Sequence, residues 1–170
     1  MRRTALLLLA VGASSCGYHL AGQADLIPKE IHTIAIPAFA NSTTRYKITD
    51  RLPEAISREF ISRTRYKIVS DPNAADMVLR ATVLNYISST TIIDPTTNRA
   101  SGVELRVIMQ VNVTERATGK VLFSRPNFDF RERYQISTEP ASYFEESDAA
   151  LNRVSQQVAR ELVSSILENF

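Results

Sequence analysis

The most constraining feature of the sequence is the segment 103–114, in which apolar and polar side chains alternate. The apolar series is Val103, Leu105, Val107, Met109, Val111 and Val113, and the intervening series is Glu104, Arg106, Ile108, Gln110, Asn112 and Thr114. Successive side chains of a strand point to opposite faces, so this pattern predicts a strand with one buried face. Such a strand needs a second layer of structure to cover its apolar side.

Strand patterns also precede and follow this segment. Residues 31–39 read as a first strand in which Pro37 marks an edge position or a strand end, and a short strand follows near Ile68. Residues 77–87 predict a longer strand with these residues on its core face: Met77, Leu79, Ala81, Val83 and Ile87. Residues 88–102 are expected to be a loop longer than a hairpin needs.

A last strand follows the turn at residues 117–119. Its apolar parity changes between Phe123 and Phe128, and the change falls at Arg125 and Pro126. One extra residue in a strand moves every later side chain to the opposite face, so we predict a β-bulge at this point.

Two segments have helical periodicity. From Ile48, apolar residues recur every three or four positions through Ile61, and Pro53 is expected in the first turn, after either a cap or a kinked extra turn. The second helix is predicted from Ser142 to Glu168, with Ser142 and Glu145 as a capping box. Its apolar stripe is Leu151, Val154, Val158, Leu162, Ile166 and Phe170.

This order of elements predicts an α+β fold. We expect a two-layer sandwich in which both helices pack on one face of a mostly antiparallel sheet of four to five strands. The length of 170 residues favours a single domain, which we place at residues 31–170.

The charge balance argues against nucleic acid as a partner. The formal net charge is +2, and removing Arg2 and Arg3, which lie in a predicted cleaved segment, leaves 18 basic against 18 acidic residues. A near-neutral chain without a basic run lacks the electrostatic footprint of a nucleic-acid-binding protein.

Residues 1–15 have the pattern of an export signal. Arg2 and Arg3 precede an apolar stretch dominated by residues 6–9, and small residues follow at 13–15. The apolar stretch is too short for a membrane-spanning helix, which needs about 20 residues.

Cys16 stands directly after the small residues, which predicts lipidation of its thiol and removal of residues 1–15. An ordinary signal-peptidase cleavage after Ser15 is the alternative, since Ala13 stands where most lipidation motifs have Leu. An acylated Cys16 would anchor the chain to a membrane, and residues 16–30 would form a tether.

No enzymatic motif is present in the sequence. The chain has one cysteine and two histidines, His19 and His32, and lacks the spacings of nucleophile elbows, phosphate-binding loops and common zinc sites. We therefore expect a protein that is not an enzyme, with no catalytic residues, no metal site and no cofactor.

Basic residues are the remaining candidates for a binding site. Five arginines in the predicted hairpin tip and last two strands could contact phosphates, although interspersed acidic residues also fit a solvated sheet face. They are Arg99, Arg106, Arg125, Arg131 and Arg133.

Three segments give the chain a family resemblance. They are Cys16-Gly17-Tyr18-His19-Leu20, Ile34-Ala35-Ile36-Pro37, and the run from Ser70 through Asp71-Pro72-Asn73-Ala74-Ala75-Asp76 to Leu79. With them, the chain resembles the lipopolysaccharide-assembly lipoproteins, the LptE family.

The resemblance implies a lipoprotein on the periplasmic side of the outer membrane of a Gram-negative bacterium. It also implies that the protein plugs an LptD-type β-barrel, helps it assemble, and assists lipopolysaccharide transport, with basic sheet residues such as Arg99 and Arg125 near the lipopolysaccharide. Two alternatives remain open: an accessory lipoprotein of another envelope transport or secretion complex, and a hydrolase acting on envelope material.

Overall fold

The computed structural model of the chain describes residues 31–135 and 140–168. The strands are β1 (Thr33–Ala35), β2 (Ala40–Asn41), β3 (Lys67–Val69), β4 (Met77–Ile93), β5 (Ala100–Glu115) and β6 (Val121–Gln135). The helices are α1 (Tyr46–Arg63) and α2 (Pro140–Glu168). The predicted signal peptide, Cys16, the tether and the capping-box side chains lie outside the described residues.

The strands form one sheet in the order β3-β1-β4-β5-β6, with the two-residue strand β2 pairing beside β4. The long strands β4, β5 and β6 are antiparallel, whereas β1 runs parallel to both β3 and β4. The parallel pairing of β1 and β3 arises because α1 connects them as a crossover. The expected α+β fold with a mostly antiparallel sheet is confirmed, and β2 brings the strand count to six.

The core lies between one face of the sheet and the two helices. All six apolar residues of the alternating series in β5 are buried, from Val103 to Val113. The five from Leu105 to Val113 pack in one cluster with the α1 residues Ile48, Leu52, Ile56 and Phe60 and with the predicted α2 stripe from Leu151 to Ile166. Both helices therefore cover the same face of the sheet, as the sequence predicts.

The predicted bulge in β6 is present. Met109 pairs with Phe128 and Val111 pairs with Arg125, so Pro126 and Asn127 together oppose the single residue Gln110. Phe123 and Phe128 are therefore both buried although their parities differ.

The predicted loop at residues 88–102 is wrong. Strand β4 continues to Ile93 and β5 begins at Ala100, so only residues 94–99 form the connection. The turn is held by Asp94, whose carboxylate accepts hydrogen bonds from the amides of Thr96 and Thr97. The serines and threonines at 88–91 lack the alternation of a buried strand because their segment is exposed.

A second bulge, at Leu84, changes the predicted core face of β4. Val83 pairs with Met109 but Asn85 pairs with Ile108, which leaves Leu84 unmatched. Tyr86 then packs against the core, and Ile87, expected in the core, is exposed. Nothing in the sequence around Leu84 has the Pro or Gly that often marks a bulge.

Helix α1 begins earlier than Pro53 suggests. It starts at Tyr46, so about two turns precede the proline. Ile48 and Leu52 are fully buried in these turns, and this burial offsets the loss of the Pro53 amide hydrogen bond.

Asp76 connects the starts of β1 and β4. Its carboxylate accepts hydrogen bonds from the amides of His32 and Thr33 at 2.8 and 2.9 Å, and from the Thr33 hydroxyl at 2.9 Å. The Thr33 hydroxyl also accepts from the Asp76 amide at 2.8 Å. These bonds, led by that from His32, hold the pKa of Asp76 below its usual range. The motif that carries the family resemblance therefore has a structural role here.

We predict that Asp76→Asn lowers the free energy of unfolding by about 1 kcal/mol at neutral pH, because the hydrogen bonds lose their charged acceptor. The carboxylate stabilises the fold fully above the pKa of an unfolded Asp, about 3.9. As the pH falls below that value, folded Asp76 becomes protonated around its own, lower pKa. The difference in free energy of unfolding between wild type and variant should therefore decrease over this pH range.

Chemical denaturation of both proteins between pH 2.5 and 7 measures this difference. Asp71→Asn is the matched control, since the Asp71 side chain caps only the short 3₁₀ turn that begins at Pro72, and Asn caps about as well as Asp. A difference that is the same at both ends of the pH range would contradict the role given to the Asp76 charge.

Candidate functional site

The candidate site is the sheet face opposite the helices, which we call the outward face. On it, cross-strand pairs align Ile87 with Arg106 and Arg106 with Arg131. The next pairs along β5 and β6 are Glu104 with Arg133 and Ile108 with Asp129. No helix in the described part of the chain packs on this face, so its polar side chains are available for contacts.

Arg106 and Asp129 form the centre of the outward face. The Arg106 guanidinium donates two hydrogen bonds to Asp129, from Nε at 2.8 Å and from Nη2 at 2.6 Å. Arg131 donates to the same carboxylate at 3.0 Å. The hydrogen bonds from Arg106 and then Arg131 hold the pKa of Asp129 well below its usual range, and the hydrogen bonds that Arg106 donates to Asp129 raise the pKa of Arg106.

The position of Asp129 offsets the repulsion between two neighbouring arginines. Arg106 and Arg131 are directly opposite on neighbouring strands, where like charges destabilise a sheet. Asp129 bridges both guanidiniums and so compensates the repulsion. Two hydrogen bonds to Asp129 therefore hold the Arg106 side chain within the sheet face. The Arg131 side chain donates to Asp129 as well, but it is 57% exposed.

Arg133 forms a second pair one step along the sheet. Its Nε donates to Glu104 at 2.6 Å, and its side chain is 78% exposed. Arg131 and Arg133 therefore present most of their surface to solvent, and each can bind an additional anion with its remaining N–H groups.

The other two predicted arginines lie elsewhere. Arg125 pairs with the core-face residue Val111, and its guanidinium lies 5.8 Å from the ring centroid of Phe123. This places Arg125 on the helix side of the sheet. Arg99 lies in the hairpin turn, where its carbonyl oxygen accepts a hydrogen bond from the Asp94 amide at 2.8 Å. The structure thus brings together Arg106, Arg131 and Arg133 but not all five.

A cavity that the sequence does not predict lies on the helix side. It has a volume of about 270 Å³ and lies between the first turn of α1, Tyr86 of β4, and the α2 residues Asp148 and Leu151. Among the residues that line it, Lys47 forms an ion pair with Asp148 at 3.1 Å, and the Arg45 guanidinium lies 5.9 Å from the Tyr86 ring centroid. The lining residues are up to about 100 positions apart in the sequence and share no motif or periodicity, so the sequence does not predict this cavity.

The described residues contain no group of three or more His, Cys, Asp or Glu side chains arranged to hold a metal ion. Neither helix in the described ranges is both long and apolar enough to cross a membrane.

The described residues form a two-layer α+β domain with charged side chains on its outward face. The family model of LptE, lipopolysaccharide-assembly, matches residues 31–166. The chain therefore belongs to the LptE family, a non-enzymatic family of lipopolysaccharide-assembly lipoproteins. No curated protein matches the sequence significantly.

Solved structures share the fold at low sequence identity. A DUF330-family protein from Xanthomonas campestris has a TM-score of 0.57 at 17% identity, with 84% of this chain and 87% of that chain covered. Rare lipoprotein B from Shewanella oneidensis has a TM-score of 0.52 at 18% identity, with 81% and 95% covered. A PelC dodecamer from Paraburkholderia phytofirmans has a TM-score of 0.54 at 13% identity, with 81% and 89% covered. At these identities the likeness shows the fold alone.

We predict that Asp129→Asn lowers the melting temperature at low ionic strength, because Arg106 and Arg131 would then face each other without a carboxylate. At about 1 M salt the Debye length falls to about 3 Å, so the difference from wild type should decrease. Thermal unfolding followed by circular dichroism at both salt concentrations measures the effect.

Glu54→Gln is the control, since its partner Arg58 lies on the exposed surface of α1. Such surface pairs contribute little to stability. If the Asp129→Asn and Glu54→Gln variants have the same melting temperature at low salt, Asp129 does not compensate the charges of the two arginines.

Proposed function

We propose that this protein is an outer-membrane lipoprotein that plugs an LptD-type β-barrel, helps that barrel assemble, and assists the transport of lipopolysaccharide to the cell surface. The observation that carries this proposal is the family match over residues 31–166, which includes all six strands, α1 and all but the last two residues of α2. Cys16, outside the described residues, would carry the acyl chains that hold the protein on the periplasmic side of the membrane.

The outward face supports a role inside a polar lumen. The interior of a large transmembrane barrel is polar, so a plug needs a surface that makes polar contacts while its own charges remain compensated. The pairs Arg106–Asp129 and Arg133–Glu104 provide such a surface, because each arginine has an acidic partner at 2.6 Å.

The same face supports direct contact with lipopolysaccharide, whose lipid portion carries phosphate groups. Arg131 and Arg133 are the foremost candidates because both are exposed and both retain N–H donors beyond their ion pairs. Arginine binds phosphate well because its planar guanidinium donates two parallel hydrogen bonds. Arg106 would position Asp129 and Arg131, while Arg99 and Arg125 would reach only ligand that extends past the hairpin tip or the β6 edge.

A second candidate function is that of an accessory lipoprotein in another envelope transport or secretion complex. The PelC dodecamer from Paraburkholderia phytofirmans supports keeping it as an alternative only in that the same fold also occurs in a large assembly. The two functions differ in the partner that they require, and that partner can be identified directly.

We expect a large β-barrel protein to copurify stoichiometrically with the chain from its native outer membrane in mild detergent. The Cys16→Ala variant, produced in the same cells, should recover the same barrel but no longer incorporate labelled palmitate. This result follows if the lipid is an anchor and the folded domain is the interface. Mass spectrometry identifies the copurified proteins.

Recovery of an inner-membrane transporter or a secretion complex would favour the second function. Recovery of the chain alone, in both forms and several detergents, would contradict both. Cys16→Ser is a matched control that keeps a small polar side chain but cannot carry a thioether-linked lipid.

We predict that the double variant Arg131→Ala/Arg133→Ala weakens binding of purified lipopolysaccharide about tenfold or more, because two phosphate-binding side chains are lost. Fluorescence titration of labelled lipopolysaccharide measures the affinity. Arg58→Ala is the control, since it removes an equally exposed arginine from α1. Equal losses in both proteins would indicate a nonspecific effect of charge and would contradict a site on the outward face.

A further inference from the structure

Two apolar side chains of β4 lie on the outward face. Ile87 pairs with Arg106 of β5, and Ile92 pairs with Gly102 of β5. Both partners alternate with the buried core-face residues of β5, so both isoleucines are on the side of the sheet away from the helices. Their exposed fractions are 39 and 53%.

Gly102 allows Ile92 to take this position. A Cβ atom at residue 102 would lie 2.9 Å from Cγ1 and 3.0 Å from Cβ of Ile92. The Ile92 side chain therefore lies directly against the bare backbone of β5, and a larger residue at position 102 would displace it. Close packing thus fixes Ile92 on the outward face, although half of its surface remains exposed.

Ile108 continues this apolar surface on β5. It lies on the outward face, opposite Asp129 of β6, and is partly buried. Its partner in β4 is Asn85, two residues before Ile87, so the two isoleucines are diagonal neighbours. From Ile108 past Ile87 to Ile92, apolar side chains extend over about 20 Å, at about 3.3 Å per residue. We call these three residues the apolar stripe.

Basic side chains lie beside the apolar stripe. Arg131 of β6 is the neighbour of Arg106, which is the neighbour of Ile87. Adjacent strands are about 4.8 Å apart, so the backbone of Arg131 lies about 10 Å from that of Ile87. Arg133 follows two residues later on the same face. The outward face is therefore apolar along β4 and basic along β6.

We infer that the apolar stripe binds an acyl chain of lipopolysaccharide while Arg131 and Arg133 bind a phosphate group of the same molecule. This inference rests on the proposed function and adds the part of the ligand that arginines do not recognise. Single exposed apolar residues are common on protein surfaces. Here they form a line beside two exposed cations, which matches a linear apolar chain attached near a phosphate.

The acidic residues of the outward face favour a phosphorylated sugar lipid over a glycerophospholipid. Asp129 and Glu104 lie among the arginines, where their carboxylates repel a phosphate but accept hydrogen bonds from hydroxyl groups. A sugar carries hydroxyl groups next to its phosphate, so it can satisfy the carboxylates and the guanidiniums together. The phosphate of a glycerophospholipid has fewer hydroxyl groups beside it.

Fluorescence titration with two probes separates the two parts of this site. One probe is labelled lipopolysaccharide, and the other is the same molecule after alkaline removal of its acyl chains, which leaves its phosphates. The protein is the full chain carrying Cys16→Ala, which has no acyl chain of its own. This background protein should bind the complete probe more tightly, because burial of methylene groups is favourable.

The variant Ile87→Thr/Ile92→Thr should bind the complete probe about tenfold more weakly and the deacylated probe with unchanged affinity, because Thr replaces apolar surface by a hydroxyl group. Thr also keeps the β-branched shape that suits a strand. Ile61→Thr/Val121→Thr is the matched control, since it changes two exposed apolar residues outside the apolar stripe. Circular dichroism checks that all the variants fold.

Equal affinity of the Ile87→Thr/Ile92→Thr variant and the background protein for the complete probe would overturn the inference. Equal losses for both probes would overturn it as well, because an acyl contact cannot affect a probe without acyl chains. Phosphatidylglycerol vesicles that compete as well as unlabelled lipopolysaccharide, at the same lipid concentration, would contradict the assignment to lipopolysaccharide.

The inference and the proposed function can fail separately. If Arg131→Ala/Arg133→Ala weakens binding of both probes and Ile87→Thr/Ile92→Thr weakens neither, the acyl site is wrong while the phosphate contact stands. Failure to recover a barrel in the copurification would contradict the plug function and would leave these titrations unaffected.

Discussion

The rest of the structure depends on the burial of one face of β5. This strand lies inside the sheet, between β4 and β6, and its six apolar side chains all point to the same side. Such a face exposed to water would cost free energy in proportion to its apolar area, so it has to be covered. The stripes of α1 and α2 cover it, and the registers of β4 and β6 follow from the need to align their own apolar residues with those of β5.

The bulges are what keep that alignment in strands whose sequences do not alternate perfectly. In β6 the extra residue at Pro126 and Asn127 returns Phe128 to the side of Phe123. In β4 the extra residue at Leu84 brings Tyr86 to the core and turns Ile87 outward. The same irregularities thus preserve the core and place an apolar side chain on the outward face, beside Arg106.

The outward face and the two sheet edges then acquire different properties from the same strands. Because the helices cover only one side, the polar series of β5 meets that of β6, and arginines and carboxylates pair across the strands. The β6 edge carries charge and a proline, while the second half of β4 carries neither. A charged face suits a polar partner or a phosphate-bearing ligand.

The sequence by itself determined the fold class, the face of β5 that is buried, both apolar helix stripes and the β6 bulge. Each of these appears locally as a regular spacing of apolar residues or, for the bulge, as an interruption of that spacing beside a proline. The family resemblance also came from local segments, one of which contains Asp76. Only the tertiary structure decided the strand order, the length of β4, the bulge at Leu84 and the two turns before Pro53. These depend on pairing and burial between distant segments. It likewise decided that Arg106 meets Arg131 and that Arg133 lies one step along the same face, because these neighbours depend on the pairing register between β5 and β6.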